Sequence, residues 1–210
     1  MAAVRTGKSW LIGLMLICVG IELVLLADDL GLFEADRLRR LAYEYGGFWP
    51  GLVENWPSNF QGQPYAMFFT YSFLHGGPVH LIVNMVTLWS LGCAVLDRVG
   101  ISGFCLLYGG AVLGGATGYA LLASNLQPMV GASGALFGLA GGLLAWMYVD
   151  RFTRHQGLLP VAQAVMLLVV LNLVLWWAMR GQIAWQTHLG GFVSGWIMAL
   201  LIDPRSADTR

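Results

Sequence analysis

The chain has 210 residues, of which 58% are hydrophobic and only 10% are charged. A soluble domain carries about a quarter charged residues, so the composition excludes a water-soluble globular protein and indicates an all-α protein embedded in a lipid bilayer. Lysine plus arginine and aspartate plus glutamate each number 11. This balance provides no basic surface of the kind that binds nucleic acid, so no nucleic-acid partner is expected.

Six apolar segments are long enough to cross a bilayer as helices, which requires about 20 apolar residues each. They cover residues 9–27, 67–96, 100–123, 131–149, 158–179 and 186–203. The second segment is long, and its first turns are expected to lie above the hydrocarbon. The first segment follows two basic residues, as a signal peptide would. However, "ADDLGLFEAD" is a poor cleavage site, so a retained helix is the better interpretation.

The distribution of positive charge predicts that both termini are cytoplasmic, because lysine and arginine accumulate on that side of membrane proteins. With this orientation seven basic residues lie inside and four lie outside. The inner set is Arg5, Lys8, Arg98, Arg151, Arg154, Arg205 and Arg210, and the outer set is Arg37, Arg39, Arg40 and Arg180. Six spans bring both ends to one side, and residues 1–210 are predicted to form a single membrane domain.

Residues 28–66 form the only long loop, which the orientation puts outside. Its segment "EADRLRRLAYEY" has the spacing of an amphipathic helix lying in the membrane interface. Leu38, Leu41, Ala42 and Tyr45 share one stripe, and Asp36, Arg40 and Glu44 lie opposite. Aromatic residues typical of the headgroup level follow, namely Phe48, Trp49, Trp56, Phe60 and Tyr65. The loop is therefore predicted to be partly embedded in the outer interface.

Polar residues inside predicted spans are costly and indicate function. His80 and Asn84 are four residues apart and share a helix face on span two, and His75 precedes them by about one turn. Ser133 lies near the outer end of span four, and His188 near the outer end of span six. These spans all run from outside to inside, so the polar residues are predicted to lie at one depth.

Glycines explain how these residues could meet. Span four carries Gly131, Gly134, Gly138 and Gly142, and span six carries Gly190, Gly191 and Gly195. Small residues at such spacing let helices pack closely, which would bring Ser133 towards His188. A serine beside a neutral histidine is an activated nucleophile.

Acyl transfer also needs hydrogen-bond donors for the developing oxyanion. The N–H of Ser133 is predicted to be free at a helix N-terminus, and His80 and Asn84 can supply side-chain donors. No aspartate within a span is placed as a third member, and Asn172 is interpreted as structural.

Other interpretations remain open at this point. Ser133 could serve only helix packing, and His188 could be an interhelical hydrogen-bond partner. A metal site of His75, His80 and His188 matches no common ligand pattern and has no acidic ligand, so no metal or cofactor is expected. A transporter or proton relay using His80, His188 and Glu22 would be expected to show internal repeats, and none is found.

Three motifs, "HLIVN", "GASG" and "HLGG", resemble those of the rhomboid intramembrane serine proteases, in the same order and on spans two, four and six. The resemblance implies a six-helix bundle of rhomboid type, with Ser133 as nucleophile and His188 as base. It implies an oxyanion hole of His80, Asn84 and the Ser133 N–H, with Gly131 beside the site. His75 would lie near a water-filled entrance above it.

The resemblance also implies that span five and the loop at 179–185 are a mobile gate and cap. Three positions depart from the family pattern. Ala66 and Met67 stand where many members carry Trp-Arg, Phe137 stands where a tyrosine is frequent, and Thr187 stands where alanine is common. Phe137 keeps a ring that can stack on His188.

The implied reaction is peptide hydrolysis in or near the transmembrane segment of a substrate protein, without a cofactor. The expected location is a bacterial inner membrane, and substrates are expected to carry helix-weakening Gly or Pro and a small residue before the cut. The alternative is a non-catalytic rhomboid-like protein that binds transmembrane helices. A specialised protease for sorting tags is not distinguished from a general one, and the oligomeric state stays open.

Overall fold

A computed structural model describes residues 2–33, 37–124 and 127–202, with side chains from Gly7 onwards. These described residues form seven α-helices and no strand, as the composition predicts. The helices are α1 (Ala2–Asp29), α2 (Leu38–Gly46), α3 (Gln63–Thr70), α4 (Pro78–Leu122), α5 (Ser133–Thr153), α6 (Leu159–Ala178) and α7 (Trp185–Leu201). Short 3-10 turns occupy Pro50–Leu52 and Tyr71–Phe73.

Three of the described helical stretches are long and apolar enough to cross a membrane by length and composition, namely Gly7–Asp29 of α1, the whole of α4, and α6. Helix α4 has 45 residues and is interrupted at Gly100, whose φ of 68° and ψ of −172° are not helical. Its two halves, 78–99 and 101–122, correspond to the second and third predicted segments.

The predicted start of the second segment is wrong. Residues 67–77 belong to α3, a 3-10 turn and an extended connection, and α4 begins only at Pro78. The physical reason is local: Gly77 has a φ of 114°, which ends regular structure, and proline is well suited to the first turn of a helix because it has no N–H to satisfy.

Glycines bring α5 and α7 into direct backbone contact, as their spacing predicts. A Cβ added to Gly191 would overlap the carbonyl oxygen of Gly134, and one added to Gly195 would overlap that of Gly138. The second half of α4 approaches α7 in the same way, because a Cβ on Gly118 would lie 2.8 Å from the Cα of Gly190. Close backbone approach at small residues therefore holds these three helices together.

The loop between α1 and α4 packs onto the helices more deeply than its aromatic residues predict. Trp56, Phe60 and Tyr65 are exposed, as expected at an interface, but Phe48 is fully buried. The prediction for Phe48 is therefore wrong. Its ring packs edge-on against Phe68, Tyr71 and Tyr119.

The backbone of Phe48 also attaches the loop to the segment before α5. Phe48 and Met129 exchange two backbone hydrogen bonds of 2.9 Å. Helix α2 forms where the amphipathic pattern predicts it. Tyr45, on the predicted apolar stripe, is 46% exposed and stacks on Phe60 at 6.4 Å.

Part of the charge pattern falls outside the description. Asp36, Arg205, Arg210 and the side chain of Arg5 lie outside the described residues. The orientation of the chain in the membrane therefore stays a prediction.

Candidate active site

Ser133 and His188, which are 55 residues apart in the sequence, are in hydrogen-bond contact. Ser133 is the first residue of α5, and His188 lies in the first turn of α7. Nε2 of His188 is 2.9 Å from Oγ of Ser133. The glycine contacts described above allow this distance, because they bring the beginnings of the two helices together.

Two further side chains hold the imidazole of His188, which is only 6% exposed. The ring of Phe137, one turn after Ser133, stacks on it with centroids 4.2 Å apart and planes within 6°. On the other side, Nδ1 of His188 is 2.7 Å from Oδ1 of Asn172, near the end of α6. The stacking was predicted from the sequence, whereas the contact with Asn172 was not.

A signal for Asn172 was present in the sequence. It is 13 residues beyond Leu159 at the start of α6, about 20 Å at 1.5 Å per residue. In a span that runs from inside to outside, that distance reaches the predicted depth of Ser133 and His188.

His80 and Asn84 converge on the backbone next to Ser133. Gly131 has a φ of 128°, and a Cβ there would lie 2.9 Å from Nε2 of His80 and 3.7 Å from Nδ2 of Asn84. Glycine is therefore required at 131 both for its conformation and for space. The structure therefore brings together six predicted site residues, namely Ser133, His188, Phe137, Gly131, His80 and Asn84.

His80 and Asn84 each have a side-chain N–H that is available to donate a hydrogen bond. The N–H of Gly76 donates to Nδ1 of His80 at 3.1 Å, so the proton of a neutral His80 is on Nε2, which faces Gly131. Nδ2 of Asn84 is buried and has no hydrogen-bond partner among the described residues. A buried donor without a partner is costly, so this amide is available to donate to an acceptor that enters the site.

His75 lies beside the site, and its place near a water-filled entrance stays a prediction. Its side chain is fully buried, and its ring meets that of His80 edge-on at 5.3 Å. Burial, and secondarily the charge of His80, lowers the pKa of His75 to about 4. His75 is therefore neutral at physiological pH.

A group of charged residues outside the predicted site holds the backbone of His75. Arg39 of α2 pairs through both terminal nitrogens with Glu22 of α1, at 2.8 and 3.2 Å, and its Nε donates to Asp29 at 2.7 Å. Arg39 and Tyr43 also donate to the carbonyl oxygen of His75, at 3.1 and 2.7 Å. Sequence reasoning assigned no such role to Glu22 or Arg39.

No group of three or more His, Cys, Asp or Glu residues suited to a metal ion occurs within the described residues. At the positions that depart from the family pattern, Met67 is fully buried and Thr187 is 1% exposed. Both are packed into the interior of the protein.

The long apolar helices indicate an integral membrane protein. The family model described as the Rhomboid domain matches residues 61–205, which is more than half of the chain. The chain therefore belongs to the rhomboid family, and this confirms the resemblance seen in its motifs.

Three relatives show the extent of the similarity. RHOMBOID-like protein 4 of Arabidopsis thaliana is 37% identical over 136 residues, 63% of this chain and 33% of that protein. Rhomboid protease GluP of Bacillus subtilis (strain 168) is 34% identical over 126 residues, 60% of this chain and 24% of that protein. RHOMBOID-like protein 6, mitochondrial, of Arabidopsis thaliana is 29% identical over 159 residues, which are 72% of this chain and 49% of that protein. The chain thus matches about a quarter to a half of the length of these relatives.

Proposed function

We propose that this chain is an intramembrane serine endopeptidase that cleaves the transmembrane segments of other membrane proteins with Ser133 and His188. The observation that carries the proposal is the 2.9 Å contact between Oγ of Ser133 and Nε2 of His188. Membership of a family that includes a named rhomboid protease supports it. The reaction needs no cofactor.

In the proposed mechanism, Oγ of Ser133 attacks the carbonyl carbon of the scissile peptide while Nε2 of His188 accepts the hydroxyl proton. The protonated His188 then gives this proton to the leaving amine. A water molecule attacks the resulting acyl-enzyme, with His188 again as the base, and restores Ser133. Ser133 is only half-buried, which favours access for both the substrate and water.

The oxyanion of each tetrahedral intermediate would be bound by Nε2–H of His80, Nδ2–H of Asn84 and the N–H of Ser133. The last of these belongs to the first residue of α5, where the helix provides no acceptor. The unpartnered amide of Asn84 is the strongest support for this assignment. Donors aimed in advance at a developing charge are worth about 3–4 kcal/mol each to the transition state.

We further propose that α1, the two halves of α4, α5, α6 and α7 form six spans of a single domain, residues 1–210, in a bacterial inner membrane. Both termini would be cytoplasmic and residues 28–66 would lie at the outer interface. Substrates would be membrane proteins whose transmembrane helix is weakened by Gly or Pro near the site of cleavage. A helix must unwind before its carbonyl can be attacked, and these residues favour unwinding.

The test is cleavage of a single-span substrate in liposomes by the wild type and by Ser133→Ala. We expect cleavage by the wild type and none by the variant. If the wild type binds the substrate helix but cleaves neither this substrate nor a panel with added Gly and Pro, the protease proposal is wrong. The rhomboid-like helix-binding function would then be favoured.

A further inference from the structure

Asn172 is a polar residue on an otherwise apolar part of a peripheral helix. Only Val161 of the 20 residues of α6 is buried, and the neighbours Leu171 and Leu173 are 45% and 59% exposed. Asn172 is less exposed than either, and its Oδ1 lies 2.7 Å from Nδ1 of His188. An amide in an apolar environment is costly unless it is hydrogen-bonded. The contact with His188 therefore explains why the side chain of Asn172 is directed towards α7.

The contact also determines which nitrogen of His188 carries the proton. An oxygen acceptor at Nδ1 requires a hydrogen there, so the neutral ring has its lone pair on Nε2. Nε2 is the atom 2.9 Å from Oγ of Ser133. The opposite tautomer would direct an N–H at Ser133 and could not accept its proton.

We propose that Asn172 is a positioning residue, whose side-chain oxygen holds His188 in the tautomer and orientation that accept the Ser133 proton. This inference rests on the proposed function, and it adds Asn172 to Ser133 and His188 as a third residue of the site. Phe137 stacks on the face of the ring, which restricts tilting but does not select a tautomer. When His188 gains a proton, the bond from Nδ1 to Asn172 becomes charge-assisted and strengthens.

The position of α6 then determines whether His188 is held in this tautomer and orientation. Ser133 and His188 belong to α5 and α7, whose backbones are in contact through glycines, whereas Asn172 belongs to a helix with a single buried residue. A displacement of α6 removes the acceptor at Nδ1 and leaves His188 in contact with Phe137 and Ser133 only. His188 has its contact at Nδ1 only while α6 lies against the other helices.

The first experiment does not depend on activity. The full chain, labelled with ¹⁵N-histidine in detergent micelles, has four histidines, and His188 is assigned from the signal that is missing in His188→Gln. We expect His188 to carry its proton on Nδ1 in the wild type, and a mixture of tautomers in Asn172→Leu. A proton on Nε2 in the wild type, or an unchanged Asn172→Leu spectrum, would overturn the proposal.

The second experiment is kinetic and compares two substitutions at one position. Asn172→Leu keeps the approximate volume and removes the acceptor, whereas Asn172→Asp keeps an oxygen in place. Because a misplaced catalytic group costs on the order of 100-fold, we expect kcat to fall by about that factor in Asn172→Leu with KM little changed. Asn172→Asp should recover at least a tenth of the wild-type kcat. Gln163→Leu, at an exposed position of α6, is the matched control and should behave as the wild type.

The outcomes separate this inference from the protease proposal. A parallel measurement of Ser133 labelling by a fluorophosphonate reports nucleophile reactivity without a peptide substrate. If the wild type neither cleaves nor labels, the proposed function fails, and the histidine spectra still decide the role of Asn172. If Asn172→Leu and Asn172→Asp lose activity equally and both melt at lower temperature, Asn172 is only structural and the inference is wrong.

Discussion

The guanidinium of Arg39 and the carboxylate of Glu22 form a bidentate ion pair that joins α2 to α1, with N–O distances of 2.8 and 3.2 Å. Glu22 is only 2% exposed, so the ion pair offsets the cost of burying its carboxylate. The hydrogen bonds that Arg39 donates to Glu22 raise the pKa of Arg39 above its ordinary value, so Arg39 is charged at any pH in ordinary use. Because Arg39 also contacts the carbonyl oxygen of His75, the pair connects the outer loop to the edge of the candidate site.

Arg39→Ala should therefore destabilise the protein and weaken the oxyanion site. Removing one partner of a buried ion pair leaves an uncompensated charge and costs about 3 kcal/mol. We expect a loss of that size in the free energy of unfolding, measured in detergent, and a lower kcat. Arg40→Ala, on the exposed side of the same helix, is the control. Equal stability of the two variants would contradict the prediction.

Loss of the proposed oxyanion donors should reduce catalysis without unfolding the protein. His80→Ala and Asn84→Ala are each expected to lower kcat by about 10²- to 10³-fold, measured on a single-span substrate in liposomes. Melting temperatures should stay near that of the wild type, because in Asn84 the buried amide donor has no partner to lose among the described residues. Full activity in Asn84→Ala would remove it from the oxyanion hole.

The glycine contacts between α5 and α7 predict a strong effect of a single methyl group. In Gly191→Ala the added Cβ would overlap the carbonyl oxygen of Gly134, so the helices must separate and the Ser133–His188 distance must grow. We expect both activity and melting temperature to fall.

Gly109→Ala is the matched control for that substitution. It is also helical, and a Cβ there meets nothing within 4 Å. Alanine is favoured over glycine in a helix by about 1 kcal/mol, so this variant should be neutral or slightly more stable. If the two variants behave alike, close packing at Gly191 is not important.

The buried His75 predicts a loss of stability in acid. Burial lowers its pKa in the folded protein to about 4, whereas the ordinary value is 6.5. Between these values the unfolded chain binds a proton that the folded protein does not, so stability falls as pH decreases from about 6.5 to 4. The full contribution is about 3 kcal/mol.

The measurement for His75 is the free energy of unfolding at pH 7 and pH 5 for the wild type and His75→Gln. The wild type should lose more stability than the variant over this interval, because glutamine does not titrate. An identical pH dependence would show that His75 is not responsible.

Several features of the site could be predicted because they depend on periodicity and spacing. The i, i+4 spacing of His80 and Asn84 puts them on one helix face, and the glycine repeats predict the backbone contact that brings Ser133 to His188. Counting residues along α6 gives the depth of Asn172, but its contact with His188 and the Glu22–Arg39 pair could not be predicted in this way. One polar residue in an apolar helix does not reveal which way that helix is rotated, and Arg39 counted only as one positive charge in a loop.

By itself the sequence determined the class of the protein, because continuous apolar segments of about 20 residues with so few charges are typical of helices that cross a bilayer. Its motifs also determined the family, and its glycines determined which helices pack closely. Only the tertiary structure decided that Phe48 is buried rather than interfacial, that Glu22 faces Arg39, and that the oxygen of Asn172 meets His188. These contacts join residues from elements with no shared periodicity, so they depend on the rotation and depth of each helix.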